Sequence, residues 1–207
     1  MKAYRGEDGK IRLFRPEENM QRMMRSCKRA NLPLYDADEF LQCIKKLVQI
    51  ESDWVPKDEL TSLYIRPSHI GIDPTLGVAS SMESMLYVIN CPTGPYFKIG
   101  RKPVSLLADP RFVRAWPGGA GIYKMGSNYA PTLYVQHMAE SMGHQQVLWL
   151  YGDDHQITEV GSMNVFAYLI NEHGEKELIT PPISDGIILP GITRNSVLTI
   201  TREWVCS

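Results

Sequence analysis

YKMGSNYAP at 123–131, ITEVGSMN at 157–164 and ILPGITR at 188–194 are the segments on which the reading of this chain turns. The first presents an amine at Lys124, which can form a Schiff base with an aldehyde once it is neutral; an unperturbed lysine titrates near about 10.4, so desolvation or a neighbouring positive charge has to lower it. The second places a carboxylate, Glu159, among Ile157, Val160 and Met163, at or just beyond a strand. A charge there needs a partner or must face water as an edge-strand glutamate, and a pyridine nitrogen is one such partner. The third runs through Pro190 and Gly191 into a helix start, where the amides of Ile192 and Thr193 and the Thr193 hydroxyl can receive a phosphate. Amine, acid and anion-binding turn are the polar fixings that pyridoxal phosphate requires.

The elements around these segments mix helix and strand. KIRLF (10–14) is strand-like, and Arg15-Pro16 opens a helix whose apolar positions Met20, Met23, Met24 and Cys27 follow the helical repeat. A second helix starts at Asp36, with Glu39 completing a D-x-x-E signal, and turns Phe40, Leu41, Ile44, Leu47 and Val48 inward before Pro56 ends it. SLYIRPSHIGI (62–72) and MLYVINC (85–91) have the β-branched and aromatic content of strands, with DPTLG (73–77) as a turn between them. CPTGPYFKIGRKP (91–103) then holds three prolines and two glycines, too many for the interior of a helix or strand. The expected division is a small α/β domain over 1–92, a linker over 93–102 and a larger domain over 103–207. In that larger part PVSLLAD (103–109), QVLWLY (146–151), NVFAYLI (164–170) and KELIT (176–180) are strand candidates. A helix is expected from about Tyr129 to Met142, with Pro131 in its first turn and Gly143 at its stop, and a last helix after Gly191.

Composition narrows the function classes. The 207 residues carry 22 Lys and Arg against 23 Asp and Glu, a formal charge of -1, so no basic field for a nucleic acid is expected. VLWLY and GIILPGI are too short to cross a bilayer, and MKAYRGEDGK is no hydrophobic signal, so the chain reads as soluble and intracellular. Cys27, Cys43, Cys91 and Cys206 lack zinc-ligand spacing and are expected as free thiols, and the five histidines form no metal-binding pattern. Two other groups stand out. Arg22 lies on the first helix away from its methionine stripe, and Tyr64 and Arg66 share one face of a strand, where they could meet a ligand carboxylate or simply stack at the surface.

RLFRPEENMQRM, SLYIRP, ADPRFVRAWPGG, YKMGSNYAP, QVLWLYGDDHQITEVGSMN and TPPISDGIILPGITR together resemble the branched-chain amino acid aminotransferases, pyridoxal phosphate enzymes of fold type IV. The resemblance covers nearly the whole chain. It implies an α/β (α+β) fold, with part of a small α/β domain and part of a pseudo-barrel large domain. It also implies roles: Lys124 as the Schiff-base lysine, Glu159 on the pyridine nitrogen and Tyr129 on the ring's 3-oxygen. Arg22, Ile192 and Thr193 match phosphate-binding positions, Ser162 and Leu189 match residues packing on the ring, and Tyr64 and Arg66 match the substrate pocket.

The reaction so implied moves the amino group of leucine, isoleucine or valine to 2-oxoglutarate, giving glutamate, in a homodimer of the cytosol or mitochondria. Compared with the family, the chain is expected to begin late and stop early, without one active-site tyrosine and a threonine-bearing phosphate loop. Two further readings follow: a shortened non-catalytic form that associates with complete subunits, and a fold type IV relative acting on another amino acid.

Overall fold

The computed structural model describes residues 1–95 and 102–205, in two compact units, Met1–Lys102 and Pro103–Ser207. The first unit is a four-stranded sheet covered by two helices. Its strands β1 (Lys2–Arg5), β2 (Ile11–Leu13), β3 (Ser62–Gly71) and β4 (Ser84–Thr93) lie in the order β2-β1-β3-β4, all neighbours antiparallel. β1 is absent from the sequence expectation because its four residues, KAYR, are too few to display a period. Helices α1 (Pro16–Arg29) and α2 (Ala37–Ile50) follow the expected starts. Pro16 occupies the first turn of α1, where its missing N–H is no loss, and the Asp36 carboxylate accepts from the amides of Asp38 and Glu39 ahead of α2. α2 stops at Ile50, before Pro56, and a single 3-10 turn over Ser52–Trp54 intervenes.

The apolar stripes of both helices close over one sheet face. Met20, Leu41, Ile44 and Val48 pack with Ala3, Leu63 and Ile65, while Met23 and Phe40 are only partly buried at the margin. A polar chain adds to this packing: Cys27 Sγ lies 3.2 Å from His69 Nδ1, and His69 Nε2 lies 2.8 Å from Ser84 Oγ. It ties α1 to the β3–β4 ribbon, and burial pushes the Cys27 thiol up and the His69 imidazole down, so both groups favour their neutral forms.

β4 continues through Cys91 and Pro92 to Thr93, into the segment whose composition reads as linker. Pro92 is tolerated because β4 is an edge strand, where one side of the backbone needs no partner. Residues 96–101 of the expected linker lie outside the described residues.

The second unit holds a four-stranded sheet, a separate hairpin and two helices. β5 (Leu106–Ala108) runs parallel to β6 (Gln146–Tyr151), and β7 (Gln156–Val160) and β8 (Met163–Asn164) continue the sheet antiparallel in the order β5-β6-β7-β8. The expected strand over 164–170 is two pieces: β8 ends at Asn164, and β9 (Ala167–Ile170) pairs instead with β10 (Lys176–Ile179). Helix α3 spans Thr132–Ser141, shorter than expected, since residues 126–128 form a 3-10 turn and Pro131 stands at the cap. Val135 and Ala139 of α3 meet Val147 and Trp149 of β6 to form the core, and Ala115, Ile187 and Ile188 form a second buried cluster. The last helix, α4, spans Ile192–Val205.

Candidate active site

Lys124 and Tyr129 are joined across the 3-10 turn that precedes α3. Lys124 Nζ donates to Tyr129 Oη at 2.8 Å and sits 4.8 Å from the ring centroid. Asn128 locks the loop between them, its amide donating to the carbonyls of Ala120 and Tyr123, both at 2.7 Å. Lys124 itself is exposed. The Glu159 carboxyl feels the Lys124 charge.

Glu159 is neither at an edge nor in water. It lies on β7 between Trp149 of β6 and Asn164 of β8, and it is 2% exposed. Its Oε2 forms an ion pair with Arg114, Nε lying 2.7 Å away, and both side chains are 2% exposed. Its Oε1 accepts from the Leu189 amide at 2.9 Å and from Asn164 Nδ2 at 3.0 Å. Burial pushes the carboxyl above its ordinary value, opposed by the Arg114 charge, the Leu189 amide and the Lys124 charge. The two N–H donors share Oε1, while Oε2 faces the Arg114 guanidinium. A carboxylate can accept further N–H donors, and a protonated pyridine ring supplies one.

Arg114 is the residue that the sequence reading left without a role. Besides its ion pair with Glu159 it donates to the Ile187 carbonyl at 3.1 Å and to the Gly121 carbonyl at 3.5 Å. One guanidinium thus joins the loop ahead of Lys124, the acid on β7 and the chain that leads into α4. The close approach demands glycine at position 121, because a Cβ there would stand 2.7 Å from Ala115 Cβ and 2.8 Å from the Ile187 carbonyl oxygen. The only sequence signal for Arg114 is its place in ADPRFVRAWPGG, since its partners are remote along the chain.

The turn over Leu189, Pro190 and Gly191 delivers α4 with Ile192 as its first residue. Amides in a helix's first turn have no intrahelical acceptor, so those of Ile192 and Thr193 are suited to an anion. Leu189 is buried, and Thr193 and Ser162 are exposed. The structure therefore gathers Lys124 with Tyr129, and Glu159 with Leu189, within the second unit.

The other candidates belong to the first unit. Arg22 is half-buried on α1, with Nη2 donating to Asn19 Oδ1 at 3.3 Å. Tyr64 and Arg66 share a face of β3, and the Arg66 guanidinium stacks 5.2 Å from the Tyr64 ring centroid. Among the described residues no cluster of His, Cys, Asp and Glu could hold a metal, and Cys27, Cys43 and Cys91 are free thiols; Cys206 lies outside the described residues. No helix among them is long and apolar enough to cross a membrane.

Comparison with known proteins identifies the family. The cytosolic branched-chain-amino-acid aminotransferase of Caenorhabditis elegans is 55% identical over 204 residues, which is 99% of this chain and 49% of that protein. The mitochondrial branched-chain-amino-acid aminotransferase of Rattus norvegicus is 55% identical over 205 residues, 99% of this chain and 52% of that protein. The chain thus spans about half the length of the curated relatives it matches.

Among solved structures, the branched-chain aminotransferase of the archaeon Thermoproteus uzoniensis with norvaline superposes with a TM-score of 0.78 at 24% identity, over 98% of this chain and 64% of that one. A second branched-chain amino acid aminotransferase, from the source abbreviated T.th. and solved with pyridoxamine 5'-phosphate, gives a TM-score of 0.74 at 22% identity, over 98% and 63%. These likenesses show the fold, that of the type IV aminotransferases. The family described as amino-transferase class IV matches residues 1–205, so that the lysine, the buried acid and the turn into α4 all lie inside the match, and the chain belongs to that family.

Proposed function

We propose that this chain carries the lysine-bearing part of a branched-chain aminotransferase, which transfers the amino group of leucine, isoleucine or valine to 2-oxoglutarate with pyridoxal 5'-phosphate as cofactor. The observation that carries the reading is the Glu159 carboxylate: buried, paired with Arg114 at 2.7 Å, and held on Oε1 by the Leu189 amide and Asn164. The relatives named as branched-chain-amino-acid aminotransferases support the substrate class, and their cytosolic and mitochondrial names support a location in one of those compartments. The pyridoxamine 5'-phosphate complex of a neighbour in fold supports the cofactor.

When bound, the cofactor supplies an electron sink for the carbanion formed at the amino acid's α-carbon. The chain's own residues would do the rest. Lys124 Nζ would hold the cofactor and later carry the α-proton, with Tyr129 Oη at 2.8 Å fixing its direction and meeting the ring's 3-oxygen. Glu159 would keep the ring nitrogen protonated, with Arg114 holding the acid as an anion. Ile192 and Thr193, together with Arg22, would bind the phosphate, while Ser162 and Leu189 would flank the ring.

Tyr64 and Arg66 would meet the substrate, Arg66 offering its guanidinium to the second carboxylate of glutamate. The division into a small domain over 1–92, a linker over 93–102 and a cofactor-binding domain over 103–207 belongs to the same proposal, as does assembly as a homodimer; the two compact units support the division.

The test is reconstitution with pyridoxal 5'-phosphate, reduction with borohydride, peptide mapping and an assay of leucine-dependent glutamate formation. Labelling at Lys124 with glutamate formation is expected. A chain that takes no label at Lys124 overturns the reading, and preference for D-alanine as donor overturns its substrate class.

A further inference from the structure

Asn164 closes a ring of hydrogen bonds between Glu159 and Leu189. Its Nδ2 donates at 3.0 Å to Glu159 Oε1 and at 2.9 Å to the Leu189 carbonyl, and the Leu189 amide donates at 2.9 Å to the same Glu159 oxygen. Both backbone polar groups of Leu189 are therefore taken, one by the acid and one by the amide that also holds the acid. The other end of the same carboxamide lies over Gly191: a Cβ on that glycine would overlap Asn164 Oδ1. Gly191 immediately precedes α4, and Asn195 at the start of that helix donates to the Gly191 carbonyl at 2.9 Å.

A side chain pinned by both hydrogens of one NH2 group cannot rotate away without leaving a buried carboxylate oxygen and a carbonyl short of a donor. Glu159 and the turn at residues 189–191 consequently have little freedom to move separately. We propose that Asn164 is a positioning residue that locks Glu159 to this turn, so that the acid for the ring nitrogen and the amides for the phosphate act as one rigid unit. This rests on the functional reading above and extends it: grip on the phosphate and orientation of the acid become energetically coupled through one carboxamide.

The coupling is tested with the 207-residue chain and its Asn164→Ala and Asn164→Asp variants, using pyridoxal 5'-phosphate and pyridoxal, which lacks the phosphate, as probes. Without either aldehyde, amide exchange at Leu189 is expected to quicken roughly tenfold in Asn164→Ala, the scale of one hydrogen bond to a charged group, with exchange at Val147 in the α3–β6 core unchanged. With the aldehydes, the preference for the phosphorylated probe is expected to fall by a similar roughly tenfold factor.

Asn164→Asp places a second carboxylate against Glu159. It is expected to lose the preference at neutral pH and regain part of it on acidification, when one proton shared between the carboxyls restores a donor; the flanking charges of Arg114 and Lys124 are the same in both variants. A residue that only stabilises the fold would weaken both probes equally and give no pH-dependent recovery. Should Asn164→Ala unfold, Asn164→Asp carries the comparison.

Unchanged exchange at Leu189, or equal loss of both probes, overturns the coupling alone. Absence of a Lys124 adduct in the unsubstituted chain overturns the functional reading and the coupling with it.

Discussion

The pair Tyr64 and Arg66 in the first unit and the pair Arg114 and Glu159 in the second lie on opposite sides of the burial divide. In the first, two amphipathic helices cover one sheet face with hydrocarbon, and Tyr64 and Arg66 stand on the sheet's other face, stacked on each other. In the second, the charged pair Arg114 and Glu159 is itself interior, and apolar clusters gather beside it. The first unit is held chiefly by water's exclusion from apolar surface, while a critical part of the second depends on charges that satisfy one another. The difference teaches where each unit will fail: one to lost volume, the other to a lost counter-charge.

The sharpest way to break that contrast is to remove the guanidinium. Arg114→Ala leaves Glu159 buried without its counter-ion, and the expected destabilisation is about 3–5 kcal/mol by urea denaturation, with the loop at Gly121 loosened as well. The loss should depend on pH. A buried carboxyl whose folded pKa is raised binds more protons folded than unfolded, so its contribution is present below the ordinary value of 4.5 and lost as pH rises through the raised one. Without Arg114 that rise is larger, and the penalty is expected to shrink on acidification and grow toward neutral pH.

The matching lesion in the first unit is Ile44→Ala at a position 0% exposed, with an expected loss of about 2–5 kcal/mol that shows no comparable pH dependence. Running both denaturation series at acid and neutral pH checks the pair. Equal pH profiles would abolish the distinction between the units.

Gly121→Ala probes the second unit from another direction. The added methyl meets Ala115 Cβ and two backbone carbonyl oxygens, atoms that belong to a packed cluster and cannot step aside, so about 1–3 kcal/mol of overpacking is expected by thermal or urea unfolding. The damage should spread to the acid, because Arg114 is anchored on the Gly121 and Ile187 carbonyls. A borohydride label at Lys124 weakened along with stability would show that the loop is part of the site and more than a connection.

These contrasts also explain what could be read in advance. Helices α1 and α2 were legible because Met20, Cys27, Leu41, Ile44 and Val48 repeat at helical spacing and because Pro16 and Asp36 are local start signals. The candidate positions Lys124 and Glu159 stand out in the sequence through their chemistry and motifs. Arg114 and Asn164 do not, since their role lies in partners brought close by the fold, and nothing in their neighbours along the chain marks them as interior. The sequence leaves Glu159 open between a partnered interior acid and an edge-strand glutamate, because its counter-charge, Arg114, lies 45 residues away. Pro92 illustrates the converse, a residue that reads as a strand breaker but sits comfortably on the edge strand β4.

The smallest expected effect tests the first unit's surface. Asp36→Ala removes two hydrogen bonds at the start of α2 and should lower stability by about 1 kcal/mol, the ordinary value of an N-cap. Arg66→Ala is expected to stay within about 0.5 kcal/mol of the unsubstituted chain, because the guanidinium is exposed and its stack on Tyr64 is open to water. The two variants together separate the roles that a polar residue can play in this unit. If Arg66→Ala destabilises as much as Asp36→Ala, the pair with Tyr64 is a structural brace, and its proposed use for a substrate carboxylate loses its main support. If stability is unchanged while affinity for a dicarboxylic amino acid falls, the same guanidinium is free for recognition because the fold does not depend on it.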